Sequence, residues 1–405
     1  MLAGAAVLLP GRDLRLTDFG GDVNAAVAVC AKAGGGRVVV PAGDWPTGPI
    51  VLKSRVELYL EAGATLRFSQ DSADYPLTFT RFEGTELMNH APFIYAFGES
   101  DIAITGEGTL DGQADETHWW DWTHKAGDDR KALVALATQG VAVKDRVFGS
   151  GHYLRPNFIQ PYRCRNVLIE GVRIVRSPMW EIHPVLCRNV SVRGVRIASK
   201  GPNNDGCDPE SCRDVLIEGC EFDTGDDCIA IKSGRNADGR RIAAPCENIV
   251  IRNCRMTGGH GGVSIGSEAS GGVRNVLVHD CHMGSPDLAR ALRIKSNSWR
   301  GGFVENVVFR DVSIDQVADD VFQVDLAYEE GAGGPFNPRI DGIVFERVTC
   351  GKADRALCIR GYPDDRITGV RVRDCVFDKV ATDNLIENAD LRVRNVLING
   401  KTWQA

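Results

Sequence analysis

The sequence predicts an all-β protein in which short strands stack as a parallel β-helix. Two observations carry this prediction: a nine-residue pattern recurs every 23 to 36 residues, and apolar and polar residues alternate within each copy. The composition agrees, because 45 glycines and only 7% aromatic residues fit many tight turns around an interior of small or branched side chains.

The repeat occupies the chain from residue 166 onwards. Each copy has apolar residues at its second, fourth, seventh and ninth positions, which in the first copy are Val167, Ile169, Val172 and Ile174. Period-two alternation predicts a strand with one buried face, and the phase change after the fourth position predicts a bend followed by a second strand. The copies begin at Asn166, Asn189, Asp214, Asn248, Asn275, Asn306, Gly342 and Gly369, with a partial copy at Asn395 and weaker ones from Arg55 and Asp101.

The seventh position of the repeat predicts where several of the 13 cysteines lie. It holds either valine or cysteine, so we expect an interior column in which free cysteine packs as a small hydrophobic residue. Disulfide or metal-ligand roles are not expected for this column, and the absence of a CxxC pair argues against zinc ribbons. The cysteines of this column are Cys220, Cys254, Cys281 and Cys375.

The N-terminal part predicts a cap on the solenoid. Residues 22–33 have the pattern of an amphipathic helix that Gly34 ends, and a helix there would cover the open end of the first coil. Residues 1–12 include an apolar run that is either a disordered N-terminus or the tail of a signal peptide that lacks its basic part. We favour the second interpretation, which predicts a periplasmic or secreted protein. Residues 13–405 are then expected to form a single β-helix domain.

The charge excludes some partners. A formal net charge of −7 argues against nucleic acid, and no apolar run approaches the roughly 20 residues of a membrane span. An anionic substrate would therefore have to be bound by a local basic cluster. We expect a monomer, since a capped solenoid is self-sufficient.

Polar clusters recur at about one per coil in the second half of the chain. Asp226 and His260 each lie 12 residues after the first residue of a repeat, so both should occupy one site on successive coils. Because coils stack about 4.8 Å apart, the clusters should form a column on one face. Its members are Asn203 and Asp205 in NNDG, Asp226 and Asp227 in GDDC, His260 in GGHGG, Arg293 and Lys295 in RIK, and Tyr328 in AYEEG.

Three close carboxylates indicate acid–base chemistry. Like charges raise one another's pKa, so one group stays protonated as an acid while the others act as bases, which is what glycoside hydrolysis requires. The neighbouring arginine and lysine favour a substrate that carries carboxylates. The alternatives for the single motifs are a turn at Asp205 and Gly206, and a solvated pair or a calcium site at Asp226 and Asp227.

In order and spacing, NNDG, GDDC, GGHGGVSIGS and RIK resemble the motifs of the polygalacturonase family of glycoside hydrolases, family 28. LTDFGGD, LKSRVELYLEAGATL, GEGTLDGQ and SPMWEIHP extend the resemblance over about residues 15–400. The resemblance implies a right-handed, pectin-lyase-like parallel β-helix and inverting hydrolysis of α-1,4-galacturonosidic bonds, with neither a metal nor an organic cofactor.

The family pattern also implies a role for each member of the column. Asp226 would be the general acid, Asp205 and Asp227 would hold and deprotonate the attacking water, and His260 would tune the acid. Arg293 and Lys295 would bind galacturonate carboxylates, and Tyr328 would position the sugar. Asn203 is expected to be a neutral hydrogen-bonding group beside Asp205. Inversion leads us to expect about 6.5–9.5 Å between acid and base.

The departures from the family pattern concern mode of action. Asn204 stands where threonine is common, with little effect expected because Asp205 is retained. PNNDGCDPES resembles the bacterial exo-acting branch more than the fungal endo enzymes, and residues 118–153 break the strand pattern. We therefore expect exo action, with residues 118–153 closing one end of the groove.

Three other functions stay open from the sequence alone. A rhamnogalacturonan or another modified pectin would be a substrate within the same family. A β-helical pectate lyase would use calcium and an arginine base. A β-helical carbohydrate-binding protein without catalysis would explain the repeat but not the column of ionisable residues.

Overall fold

The first five repeats fold into two strands joined by a bend, as the phase of their apolar residues predicts, whereas the repeats that begin at Asn306, Gly342 and Gly369 each lie in one continuous strand. In the first copy these are the strands Arg165–Glu170 and Arg173–Val175. Val167 pairs in parallel with Val190, and Val190 with Val215, so the same repeat position lies at the same place on successive coils. The computed structural model describes residues 11–404, and the proposed signal-peptide remnant therefore falls almost wholly outside the described residues.

One long sheet contains both strands of most coils. Its neighbours are parallel except at the C-terminal end, where Leu397 pairs with Thr402 in an antiparallel turn. Its 22 strands are Asp13–Arg15, Gly36–Val40, Gly43–Thr47, Val56–Leu60, Ala64–Phe68, Ser100–Gly106, Thr109–Asp111, Arg165–Glu170, Arg173–Val175, Arg188–Arg193, Arg196–Ser199, Arg213–Glu218, Glu221–Thr224, Cys246–Arg252, Arg255–Gly258, Val273–His279, His282–Met283, Phe303–Ile314, Arg339–Cys350, Ile367–Phe377, Ala389–Ile398 and Lys401–Thr402.

A second parallel sheet, here called the site sheet, closes the other side of each coil. Single bridges from Ile159 to Ile182, then to Cys207 and to Ile229, connect its two halves into one stack. Its strands are Ile50–Val51, Ile94–Phe97 and Ile159–Tyr162, followed by Ile229–Ile231, Val263–Gly266, Leu292–Lys295, Asp320–Asp325, Arg355–Arg360 and Leu385–Glu387. Parallel strands joined through crossovers coil in the right-handed sense, and the fold is a right-handed parallel β-helix.

The first residue of each repeat adopts a left-handed backbone conformation, which explains its composition. Asn248, for example, has φ of 60°, and Gly342 has φ of 71°. Asparagine, aspartate and glycine tolerate this region at least cost. The asparagines also form a ladder between coils, in which Asn248 Nδ2 donates to Asp214 Oδ1 at 2.8 Å and Asn275 Nδ2 donates to Asn248 Oδ1 at 3.1 Å.

The interior is apolar and continuous along the axis. One cluster of packed side chains runs from Leu16 to Val396. All 13 cysteines are buried and free, including the predicted column of Cys220, Cys254, Cys281 and Cys375, so the prediction of an interior cysteine column is confirmed.

The predicted N-terminal helix spans Val23–Lys32 and lies on the first coils. The Asp22 side chain accepts a hydrogen bond from the backbone N–H of Ala25 and caps the helix, whose buried residues are Val23, Ala26, Val27 and Cys30. Gly34 follows with φ of 100°, a conformation that ends the helix.

Two insertions and a later helix stand outside the coils. The first insertion is an antiparallel hairpin, here called the cover hairpin, with strands Leu77–Phe82 and Thr85–His90. The second contains helices Trp122–Lys125 and Gly127–Thr138 and the strand Val147–Phe148, which pairs with the cover hairpin. The remaining helices are Asn236–Ile242 and the 3₁₀ turns Leu16–Phe19, Ser72–Asp74 and Val143–Asp145.

Candidate active site

The predicted column lies at one corner of the β-helix, where the chain leaves the long sheet and enters the site sheet. Asp226 and Asp227 form the turn after the strand Glu221–Thr224, and His260 follows the strand Arg255–Gly258 on the next coil. Asp205 precedes Cys207, which bridges to Ile229. Parallel stacking of the coils therefore brings together residues that are far apart in the sequence.

Three carboxylates meet at this corner. Asp205, Asp226 and Asp227 each offer an oxygen within 4.8 Å of the others. Only the Asp226 side chain has appreciable solvent exposure, 15% against 3% for Asp205 and 0% for Asp227. Asp226 is therefore the carboxylate that a ligand in the cleft can touch, while the other two lie behind it.

The oxygen separation of at most 4.8 Å is shorter than the 6.5–9.5 Å expected for acid and base. The two values describe different separations, because about 6.5–9.5 Å refers to the carboxyl groups of acid and base and 4.8 Å to single oxygens, so the expected acid–base distance stays a prediction.

Asp226 and His260 form a hydrogen-bonded pair across two coils. His260 Nδ1 lies 2.9 Å from Asp226 Oδ1, and this hydrogen bond raises the pKa of His260 above its ordinary value. Burial alone would raise the pKa of Asp226, but the contact with His260 and the charge of Lys295 outweigh burial and lower it to about 2. These opposite shifts favour a shared proton on the imidazole rather than on the carboxylate.

The pKa of Asp205 is shifted in the opposite direction from that of Asp226. Burial, followed by the nearby carboxylates Asp208 and Asp226, raises its pKa well above the ordinary value. Only the charge of Lys232 acts strongly in the other direction. The two carboxyl groups thus differ in proton affinity, which is higher at Asp205 than at Asp226.

The two predicted cations of the RIK motif lie on the strand Leu292–Lys295, beside Asp227. Lys295 Nζ donates to Asp227 Oδ2 at 2.8 Å, and Arg293 lies 3.9 Å from Asp227 Oδ1. Although burial opposes its charge, the Asp227 carboxylate raises the pKa of Lys295. Lys295 and Arg293 therefore neutralise part of the negative charge that would otherwise favour a bound metal ion.

Tyr328 and Asn203 complete the predicted set. The guanidinium of Arg293 lies 5.1 Å from the centre of the Tyr328 ring, and Lys295 lies 5.3 Å from it. Asn203 Nδ2 lies 3.5 Å from Asp226 Oδ2, and its Oδ1 accepts from Arg155 at 2.7 Å. All eight residues predicted from the sequence therefore lie around one cleft or in its wall.

Asn204 turns the other way and shapes the loop. Its Oδ1 accepts from the backbone N–H of Gly201 at 3.0 Å and from the Ser199 hydroxyl at 2.6 Å, and its Nδ2 donates to the Ser177 carbonyl at 3.0 Å. These bonds fix the backbone that presents Asp205, which accounts for an asparagine at this position.

Sequence reasoning missed most of the cleft lining, including four residues close to the carboxylates. Lys232, Trp180, Glu268 and Arg235 all line the cleft. Lys232 directly follows the strand Ile229–Ile231, whose alternation turns it towards the site, but its partners Asp208 and Glu268 come from other parts of the sequence. Trp180, Glu268 and Arg235 come from loops whose course no periodicity encodes. Asp208 and Glu210 are fully buried below the cleft.

The cover hairpin closes the cleft on the side of the earlier coils. It lies over the site sheet there, with Thr80 Oγ1 donating to Gln160 Oε1 at 2.5 Å and Arg81 donating to Glu210 Oε1 at 2.8 Å. Glu210 bridges to Lys232 on the next rung, where the open floor begins. The cleft therefore ends beside the carboxylates, and it has a volume of about 760 Å³.

The tip of the cover hairpin is fixed against the floor and the second insertion. The backbone N–H of Arg235 donates to the Gly84 carbonyl at 3.0 Å, and a side chain at Gly84 would meet that nitrogen at 2.7 Å. Glu83 pairs with Arg130 of the helix Gly127–Thr138 at 2.8 Å and with Arg235 at 3.2 Å. The predicted wall from residues 118–153 is thus helical, and it acts together with a hairpin that the sequence did not single out.

Among residues 11–404, no helix combines the length and apolar character that crossing a bilayer requires.

Comparisons with known proteins agree with this geometry. The family model described as glycosyl hydrolases family 28 matches residues 30–392. A solved structure of a hyperthermoactive exopolygalacturonase from Thermotoga maritima is 43% identical, with a TM-score of 0.95 over 98% of this chain and 94% of that one. The pectin-lyase-like fold expected from the sequence is thereby confirmed.

Two curated proteins show the same relationship at lower identity. A "Probable polygalacturonase" of Vitis vinifera is 28% identical over 403 residues, which cover 93% of this chain and 76% of that protein. An "Exo-poly-alpha-D-galacturonosidase" of Dickeya chrysanthemi is 27% identical over 335 residues, which cover 76% of this chain and 54% of that protein. With the family model matched across most of the chain, the protein is a glycoside hydrolase that belongs to glycosyl hydrolases family 28.

Proposed function

We propose that this protein is an exo-acting polygalacturonase that cleaves α-1,4-galacturonosidic bonds with inversion. The observation that carries the proposal is a cleft that ends beside a cluster of three carboxylates. A cleft with one closed end admits the end of a polysaccharide chain, whereas an open groove would accept its middle. The similarity to a Thermotoga maritima exopolygalacturonase supports the same mode.

Asp226 is proposed as the general acid. It is the exposed member of the cluster, so it can reach the glycosidic oxygen between two sugars. The proton that it delivers is held by the Asp226–His260 pair and moves to the carboxylate as the leaving oxygen becomes basic. His260 therefore tunes the acid by holding the proton until substrate occupies the cleft.

Asp205 and Asp227 are proposed to activate the attacking water. Their side chains are almost fully buried, which keeps a sugar carbon from reaching either carboxylate. The water oxygen forms a bond to the anomeric carbon and gives a proton to one of these carboxylates, while the glycosidic bond breaks and the leaving oxygen takes the proton of Asp226. This burial favours inversion over a covalent sugar–enzyme intermediate, despite the short separation of the carboxylates.

Arg293, Lys295 and Tyr328 are proposed to hold the carboxylates and ring of galacturonate, with Asn203 donating to the sugar or to Asp226. Lys295 lines the cleft, and Arg293 lies next to the Tyr328 ring and only 3.9 Å from Asp227, which leaves donors for a substrate carboxylate. Neither a metal nor another cofactor takes part in this scheme.

The remaining proposals concern the whole protein. We propose a single catalytic β-helix domain, supported by the continuous core from Leu16 to Val396. We propose that it acts as a monomer in the periplasm or outside the cell. Light scattering at the purification concentration tests the monomer, and cell fractionation of the source organism tests the location.

Product analysis tests the activity. Polygalacturonate, xylogalacturonan and rhamnogalacturonan are digested side by side and sampled from the first few per cent of turnover. We expect polygalacturonate to be the preferred substrate and to release only mono- or digalacturonate. An early ladder of oligomers would refute exo action, and preferential cleavage of rhamnogalacturonan would refute the substrate. Products that absorb as unsaturated uronates and disappear with a chelator would indicate a lyase.

The stereochemistry is tested on the same reaction by proton NMR. Inversion of an α-linked substrate must release the β-anomer first, before mutarotation equilibrates the two forms. Initial release of the α-anomer would refute the roles assigned to Asp205 and Asp227.

A further inference from the structure

Lys232 is buried at the closed end of the cleft, among three carboxylates and an indole. Its Nζ donates to Glu268 Oε2 at 3.2 Å and lies 3.6 Å from Asp205 Oδ2 and 3.8 Å from Asp208 Oδ2. The centre of the Trp180 ring is 4.1 Å away, on another side of the ammonium group. The family pattern assigned no role to this lysine in the sequence.

The carboxylates around Lys232 have few other partners. Asp205 Oδ1 and both carboxylate oxygens of Asp208 are buried without a hydrogen-bond donor among the described residues. Lys232 is the one cation within 4 Å of either group in that part of the chain. An isolated buried carboxylate takes up a proton rather than stay charged, so the ionised form of Asp205 depends on this ammonium group.

Other charged groups surround Lys232 and Asp205. Asp226 and Asp227 lie on the adjacent rung, Arg155 and Glu181 approach from the earlier coils, and Arg235 lies beyond Glu268. Lys295 is already hydrogen-bonded to Asp227. Each lysine therefore neutralises a different carboxylate of the cluster. Lys295 lies next to Asp227, and Lys232 lies next to Asp205.

We propose that Lys232 is a positioning residue whose ammonium group favours the ionised form of Asp205 against burial and the neighbouring carboxylates, so that Asp205 can accept the proton of the attacking water. The inference rests on the proposed function, because it assumes that Asp205 acts as a base. It adds a residue that contacts neither water nor substrate in the reaction and acts through Asp205.

The test is the pH dependence of kcat/KM on polygalacturonate for Lys232→Met. Methionine keeps much of the apolar stem and removes the charge. The acid limb of the profile reports the protonation of the essential base. We expect this limb to move to higher pH by about one unit or more, with KM changed less than about threefold. Lys232→Arg should restore the limb, and Lys352→Met, at an exposed lysine just after the strand Arg339–Cys350, serves as the control.

A second variant predicts a shift of opposite sign. Glu268→Gln removes the carboxylate that competes with Asp205 for Lys232, so the acid limb should move to lower pH. If Lys232→Met does not fold, Glu268→Gln decides the question by itself, and an unchanged limb or an upward shift overturns the proposal.

Two other results would also overturn it. An equal loss of activity at every pH in Lys232→Met would show a purely structural lysine. A KM raised at least about tenfold with an unchanged limb would show that Lys232 binds a substrate carboxylate. An inactive wild-type protein on all three pectic substrates would instead refute the proposed function, which separates the two failures.

Discussion

Arg81→Met tests whether the cover hairpin is held on the site sheet by a buried ion pair. Arg81 Nη1 donates to Glu210 Oε1 at 2.8 Å, and neither side chain is exposed to solvent. Glu210 Oε2 also contacts His183 Nε2 at 2.8 Å. Methionine preserves most of the volume but leaves Glu210 without its main counter-charge.

The expected loss is large because a buried charge is left without a partner. Removing one member of a buried pair costs about 3–5 kcal/mol, which lowers the folding equilibrium constant by roughly two to four powers of ten. The matched control is Arg15→Met, whose pair with Glu61 is 52% and 35% exposed at 3.3 Å and should contribute at most about 1 kcal/mol.

The assay is chemical denaturation of both variants followed by circular dichroism, repeated from pH 7 to pH 4. Burial opposes the charge of Glu210, but Arg81 and His183 lower its pKa. A carboxyl with a lowered folded pKa stabilises the fold above its unfolded pKa of about 4.3 and loses that contribution as the pH falls through the folded value. The difference between wild type and Arg81→Met should therefore change little down to about pH 4.3 and shrink below it, so the series is extended to about pH 3.

Two results would refute this reasoning. One is a loss no larger than that of the Arg15→Met control, which would mean that the hairpin is held by its apolar contacts. The other is a difference between Arg81→Met and wild type that does not change with pH, which would mean that the Glu210 charge is not what the substitution exposes.

Three further predictions concern the site and the coils. Asp226→Asn should lower kcat on polygalacturonate by about 10²–10⁴ with an unchanged fold by circular dichroism, and unaffected turnover would refute its role as acid. Because the hydrogen bond to Asp226 raises the pKa of His260, the alkaline limb of kcat should lie above pH 6.5, the ordinary histidine value. The substitution His260→Gln should move this limb to lower pH by about one unit. A limb that does not move would contradict the shared proton. Asn248→Ala should destabilise the protein by about 2–4 kcal/mol in denaturation, because it loses two ladder hydrogen bonds and strains a residue at φ of 60°, whereas Asn248→Gly should lose about 1–3 kcal/mol; equal losses would show that backbone strain contributes nothing.

The sequence by itself determined the features that depend on local periodicity. Alternation with period two identified the strands, and a constant offset from the first residue of each repeat placed Asp226 and His260 on neighbouring rungs. The interior cysteine column and the helix Val23–Lys32 followed from the same kind of pattern. A solenoid makes this possible, because each coil contacts mainly its neighbours, so sequence spacing converts directly into spatial position.

The tertiary structure alone decided what closes the cleft and what balances its charges. Arg81 reaches Glu210 across 129 residues of sequence, and Glu83 joins the cover hairpin to Arg130 and Arg235. The role of Lys232 follows from its contacts with Asp205, Asp208 and Glu268, which only the tertiary structure brings together. Insertions have no period, and the proton affinity of a buried carboxyl depends on every charge around it, so neither could be obtained from the order of residues.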